Sequence, residues 1–157
     1  MADSTTYILT GEIHSGKTTA ITNWLTGRHD VYGILTPKIE GTRFFVDAHT
    51  KEQFAMEASK EENEVLEIGR FRFSKNSFEK ASAILMACSN NEGWLIVDEI
   101  GPLELQRKAF YETIKKIIEI NNQKMKKLLV VRQTLVDEVV SFFKIKDYQL
   151  ITSLNEL

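Results

Sequence analysis

The chain has 157 residues, of which 43% are hydrophobic and 27% charged, with 20 Lys and Arg against 22 Asp and Glu for a formal net charge of −2. A chain of this length can bury a sizeable core within one domain, and its charge balance gives no drive toward nucleic acid or an anionic membrane surface. One cysteine, Cys88, excludes an internal disulfide and a cysteine-rich zinc site.

No apolar run approaches the roughly 18 residues of a membrane-spanning helix, and Met1-Ala2-Asp3-Ser4 lacks the basic, then apolar start of a secretory signal. A cytoplasmic protein is the expectation. There is no repeat, low-complexity tract or Pro/Gly/Ser-rich linker, so residues 1–157 are expected to form a single domain.

The first predicted elements carry the chemistry. Tyr7 to Thr10 is a β-prone segment, and Thr18 to Leu25 has its apolar residues near helical spacing. Between them runs Gly11-Glu12-Ile13-His14-Ser15-Gly16-Lys17-Thr18, followed by Thr19. This is G-x-x-x-x-G-K-[ST], a loop whose backbone N–H groups cradle a triphosphate at the positive end of a helix. Gly11 and Gly16 permit positive φ and close approach. Lys17 sets an ammonium against the β- and γ-phosphates, and the Thr18 hydroxyl is placed to ligate Mg²⁺.

Gly27 ends the helix. Val31 to Thr36 reads as a second strand, Glu40-Gly41-Thr42 as a turn and Arg43 to Asp47 as a third, antiparallel strand, which Glu52 to Glu57 extends. Glu61 to Glu64 is an acidic loop, and Val65 to Phe73 is strand-like. Asn76-Ser77-Phe78-Glu79 resembles a capping box opening a helix that runs to about Cys88. Trp94 to Val97 is an apolar, buried type of strand. Pro102 suits the first turn of a helix reaching about Ile120. A buried strand at Leu128 to Val131, a helix at Leu135 to Phe143 and a strand at Tyr148 to Thr152 complete the chain. The alternation implies an α/β fold of three layers, with a mostly parallel sheet and an antiparallel ribbon inserted after the second strand.

The strand at Leu95-Ile96-Val97 ends in Asp98-Glu99. In phosphate-loop enzymes an aspartate in this place holds Mg²⁺, and the acid after it can orient or deprotonate the attacking water. Alternation sends the two side chains to different sides of the strand. The spacing of about 80 residues from the loop leaves room for another strand between the two motif strands. By itself an apolar run ending in two acids also describes a strand end meeting solvent.

The stretch Asp98-Glu99-Ile100-Gly101-Pro102-Leu103-Glu104-Leu105 resembles the Asp-Glu-Ile-Gly-x-x-Glu signature of a small nucleoside-triphosphatase family. That family includes thermostable microbial enzymes and the animal cancer-related nucleoside-triphosphatase. Gly33 to Thr36, Ile68-Gly69 and Ser77 to Ala81 are similar as well, and the similarity covers nearly the whole chain. The resemblance implies the phosphate-loop fold and Mg²⁺-dependent hydrolysis of nucleoside triphosphates with loose base preference. It places Lys17 and Thr18 on phosphate and magnesium, Asp98 on magnesium and Glu99 as base. Glu104 matches the final acid of the signature and is read either as a site residue or as an acid at a helix N-terminus.

Two positions depart from the family pattern. His14 replaces a glycine and reads as a solvent-facing loop residue or as a neighbour of the γ-phosphate. Arg132 stands at the end of the strand after Asp98-Glu99, where strand ends face the ligand crevice. It reads either as a cation acting on the γ-phosphate in cis or as an arginine paired with an acid. Arg70 and Arg72 read as a solvated strand face or as a cover for phosphates, and Lys115, Lys116, Lys124, Lys126 and Lys127 as a basic cluster around a helix end. Two rival functions share the loop. A nucleotide or small-molecule kinase passes the phosphoryl group to an acceptor hydroxyl, and a nucleotide-gated module presents its bound state to a protein partner.

Overall fold

The computed structural model describes residues 5–11, 16–120 and 122–157. Its main sheet has the order β10-β1-β9-β8-β2-β4-β3, with β5 paired to β4. The parallel part comprises β1 (Thr6–Leu9), β2 (Val31–Leu35), β8 (Gly93–Ile100), β9 (Met125–Val131) and β10 (Gln149–Ile151). The antiparallel ribbon follows β2 as expected. β3 (Lys38–Ile39), β4 (Thr42–Asp47) and β5 (Gln53–Ala55) extend the sheet at its edge, with Ile34 opposite Asp47 and Leu35 opposite Val46. Glu40 and Gly41, with φ of 50° and 82°, form the turn between β3 and β4, the geometry that suits the twist of a tight hairpin.

Strand alternation builds the two faces. Leu95 and Val97 of β8 and Leu129 and Val131 of β9 enter one core, while Trp94, Ile96, Leu128 and Val130 enter the other. The second core is covered by α1 (Lys17–Leu25) through Ile21 and Leu25. The first is covered by α2 (Lys75–Cys88), α4 (Tyr111–Glu119) and α5 (Val136–Phe143). Phe78, Ala81 and Leu85 make the buried stripe of α2, at the spacing of one helix face. Trp24 and Trp94 pack edge to face at 5.3 Å.

Several details differ from the expectations. The segment from Val65 is a hairpin, β6 (Val65–Ile68) and β7 (Phe71–Ser74), which forms a separate two-stranded sheet. Gly69, with φ of 56°, and Arg70 make its turn. Helix α2 starts at Lys75, and its cap is Ser74, whose side chain accepts the Ser77 N–H at 3.2 Å. Ser74 also ends β7, so the strand runs straight into the helix without a loop. The helix expected over 102–120 is two helices, α3 (Pro102–Leu105) and α4, separated where Arg107 and Ala109 adopt φ of 63° and 54°. Left-handed backbone at non-glycine residues carries little sequence signal.

A strand does lie between the loop strand β1 and the acid strand β8, but it is β9, which follows both in sequence. β9 is also longer than Leu128 to Val131, starting at Met125. Lys126 and Lys127 had masked this start. Lys127 is buried, its Nζ donating to the Ile120 carbonyl at the end of α4 at 3.0 Å. Among the described residues no helix is long and apolar enough to cross a membrane.

Candidate active site

The site lies at the carboxyl ends of the parallel strands, where α/β sheets place their ligands. β1 delivers Gly11. Gly16, with φ of 79° and ψ of 22°, turns the chain into α1, and the Ala20 N–H closes the first turn onto the Gly16 carbonyl at 2.9 Å. The start of α1 borders the crevice through Gly16, Lys17, Thr18 and Thr19. Glu12, Ile13, His14 and Ser15 lie outside the described residues.

β8 brings up the acids. Its pairing with β9 shifts register between Asp98 and Ile100, and the Asp98–Glu99 peptide is cis. Asp98 is buried. Its Oδ2 accepts the Thr18 hydroxyl at 2.8 Å and the Thr36 N–H at 3.1 Å. Burial pushes its carboxyl above the usual aspartate range, while the Thr36 amide and the Thr18 hydroxyl pull the other way. Glu99 meets different partners: Arg132 Nη2 donates to its Oε1 at 3.2 Å, and both side chains are about 30% exposed.

Arg132 follows β9 directly, and the next N–H, of Gln133, donates to the Gly11 carbonyl at 3.1 Å. The strand between the two motif strands thus ties the start of the loop to the arginine that holds Glu99. Arg132 Nε is buried without a hydrogen-bond partner among the described residues. Of the two readings of Arg132, the pairing with an acid is the one seen, and its partner is an acid of the site.

A cleft of about 820 Å³ runs along these groups, lined by Gly16, Lys17, Thr18, Thr19, Thr36 and Glu99 among others, a size ordinary for small-molecule sites. Arg43 and Lys51 reach it from the ribbon. Arg72 does not face it: its Nη2 donates to the Glu62 carbonyl at 3.0 Å and it is exposed.

Glu104 is 3% exposed. Oε1 accepts the Gly101 N–H at 2.8 Å and Oε2 the Phe110 N–H at 3.2 Å. It is the capping-box acid of α3, and it clamps both ends of the segment after Glu99. Burial raises its carboxyl to about 7 against these two amides, and the Glu99 charge adds to the rise. Two contributions were not foreseen from the chain: the Thr36 amide on Asp98, and this clamp. A strand-end residue whose neighbour is Pro37 was the only signal for the first.

The sequence matches the NTPase family over residues 6–155. The chain belongs to that family. The NTPase chain is also similar in fold to two solved structures. One is THEP1 from the hyperthermophile Aquifex aeolicus, at 20% identity and a TM-score of 0.73, covering 96% of this chain and 91% of that one. The other is a human cancer-related nucleoside triphosphatase, at 20% identity and a TM-score of 0.67, covering 96% and 88%. No curated protein sequence shows a significant match to this chain.

Proposed function

We propose that this NTPase hydrolyses nucleoside 5′-triphosphates to the diphosphate and phosphate, with Mg²⁺ and with loose preference for the base. The observation that carries the reading is the 2.8 Å contact between Thr18 Oγ1 and Asp98 Oδ2. It joins the end of the phosphate loop to the acid strand, beside a cleft that Glu99 also lines.

The donor set fits magnesium. A hydroxyl and a carboxylate are hard oxygen ligands, and both already meet at one point. Among the described residues no group of three or more His, Cys, Asp or Glu could hold a metal ion, which suits an ion that takes its remaining ligands from phosphate and water. Thr18 and Asp98 are the residues to hold it. Bound there, Mg²⁺ neutralises charge developing on the phosphate oxygens.

The chain's own groups do the rest. The N–H groups at the start of α1 and the Lys17 ammonium hold the phosphates and offset their charge. Glu99 accepts a proton from a water whose oxygen forms a bond to the γ-phosphorus. The bond from that phosphorus to the β,γ-bridging oxygen breaks, and its electron pair leaves with the diphosphate. Arg132 keeps the Glu99 carboxylate oriented through their hydrogen bond. Placement and electrostatics account for nearly all of such catalysis.

The test is phosphate release from ATP, GTP, CTP and UTP with Mg²⁺, for the wild type beside Glu99→Gln and Lys17→Ala. Release from several nucleotides is expected, falling about 10²–10⁴-fold in Glu99→Gln while that variant still binds nucleotide. A wild type that binds nucleotide and releases no phosphate overturns the reading.

A further inference from the structure

Past Glu99 lies a second cavity of about 450 Å³. It shares Thr36, Arg43 and Glu99 with the main cleft. Its wall is apolar: Ile68, Phe71 and Phe73 of the β6–β7 hairpin face Phe78, Leu103 and Phe110. The rings of Phe71 and Phe73 stack on each other, at 5° and 5.7 Å between centroids. The hairpin belongs to no other sheet; the Glu57–Phe73 bridge and the bond from the Ala58 N–H to the Arg72 carbonyl fasten it to the ribbon.

Hydrolysis does not need this space. A water takes about 30 Å³ of liquid, so the cavity is roughly fifteen times too large for the attacking molecule. Nor does water favour a wall of four phenylalanines. The volume falls in the range of sites for small organic molecules, about 300–1,000 Å³.

The polar rim names the ligand's other half. Glu104 has both oxygens taken by backbone amides, and Glu99 is held by Arg132. Two more guanidinium groups line the cavity, Arg43 and Arg70. Neither has a carboxylate within 4.0 Å among the described residues. Arg70, at the hairpin turn, sits with its Cζ 5.5 Å from the Phe71 ring centroid. With the unpartnered Arg132 Nε, the rim has more positive donors than acceptors to meet them.

We propose that this cavity is a second small-molecule site, whose ligand has an aromatic body and one anionic group, a carboxylate or phosphate monoester. The body lies within the apolar wall of Phe71, Phe73, Phe78 and Phe110, and the anion is met by Arg43 and Arg70. Bidentate pairing of guanidinium with such groups gives both strength and orientation. A ligand so placed borders Glu99 from the side opposite the loop. The site stands on its own geometry and does not depend on the hydrolytic reading.

At 18.0 kDa the protein suits amide-resolved NMR titration. The probe is 2-naphthoate, with the neutral 2-naphthalenemethanol and acetate as its two halves. Saturable shifts are expected at Gly69, Arg70, Phe71, Gly101 and Phe110 with naphthoate. Arg70→Ala and Arg43→Ala should each weaken naphthoate about tenfold and leave the neutral probe unchanged. Acetate alone should give no saturable shift there. Naphthoate shifts confined to Gly16 through Thr19, or none that saturate, overturn the site. Equal binding of naphthoate and the alcohol in wild type overturns the anionic half of the ligand. Phosphate release is not read, so a failure here is separate from a failure of the hydrolytic reading.

Discussion

Glu104→Gln should remove a pH dependence from the stability of this protein. The Glu104 carboxyl is 3% exposed and is raised by burial from an ordinary 4.5 to about 7. Between those values the folded state keeps the proton and the unfolded chain has lost it. The unfolded state therefore binds fewer protons, and unfolding free energy falls as pH rises. The stabilising effect of the proton is fully present below about 4.5 and is lost as pH climbs through about 7. Each pH unit across that interval is worth about 1.4 kcal/mol, which gives about 3.5 kcal/mol in all. Urea unfolding of wild type and Glu104→Gln, at intervals from about pH 5 to pH 8, isolates it, because the other titrating groups cancel in the difference. Wild type should lose about 2.5 kcal/mol relative to the variant over that range. Glu104→Ala adds a second reading: the Gly101 and Phe110 amides lose their acceptor, at about 1–3 kcal/mol each. Parallel wild-type and Glu104→Gln curves across the whole range would refute the burial argument.

Arg132→Ala should lower the turnover number about tenfold or more with a smaller change in KM, because it frees the Glu99 carboxylate that Arg132 holds at 3.2 Å; unchanged turnover in steady-state kinetics removes Arg132 from the mechanism. Gly33→Ala should cost more than about 3 kcal/mol, since an added Cβ would meet the Ile96 carbonyl oxygen at 2.1 Å and φ there is +114°. A urea midpoint close to wild type would contradict that close approach of β2 to β8. Ser74→Ala should cost about 1 kcal/mol through the lost cap on the Ser77 N–H, readable in the same unfolding assay; an Asn76→Ala loss of that size with Ser74→Ala neutral would return the cap to Asn76.

The parts of this protein that could be read in its sequence are those whose physics is local. Gly11 through Thr18 reads as a phosphate loop because the glycines, the lysine and the threonine are adjacent in the chain; of it the structure describes Gly11 and Gly16 to Thr18. Leu95 to Glu99 announces a buried strand ending in acids for the same reason. The uninterrupted apolar runs of β8 and β9 announce buried strands, and the structure divides Leu95 and Val97 from Trp94 and Ile96 between two cores. What stayed hidden depends on distant partners or on unusual backbone. Arg107 and Ala109 split a helical pattern with positive φ that neither residue type advertises. Thr36 offers Asp98 only a backbone amide, and no side-chain pattern records that. Arg132 could be placed at a strand end, but its bond to Glu99 follows from β9 lying beside β8, a matter of strand order. The aromatic chamber gathers the hairpin, α2 and the segment after Glu99, which only tertiary packing brings together.

The place of β9 also sets a timetable for the protein's synthesis. Among the described residues β1, which precedes the loop, pairs only with β9 and β10. A growing chain that has emerged through β8 can already pair β8 with β2, β2 with β4, and β4 with β3 and β5, while the other edge of β8 still lacks β9. The loop strand, made first, waits without a neighbour until residues 125–131 arrive. At about 5–20 residues per second, the roughly 120 residues between them take about 6–24 seconds. The same docking step that closes the sheet also brings Arg132 to Glu99.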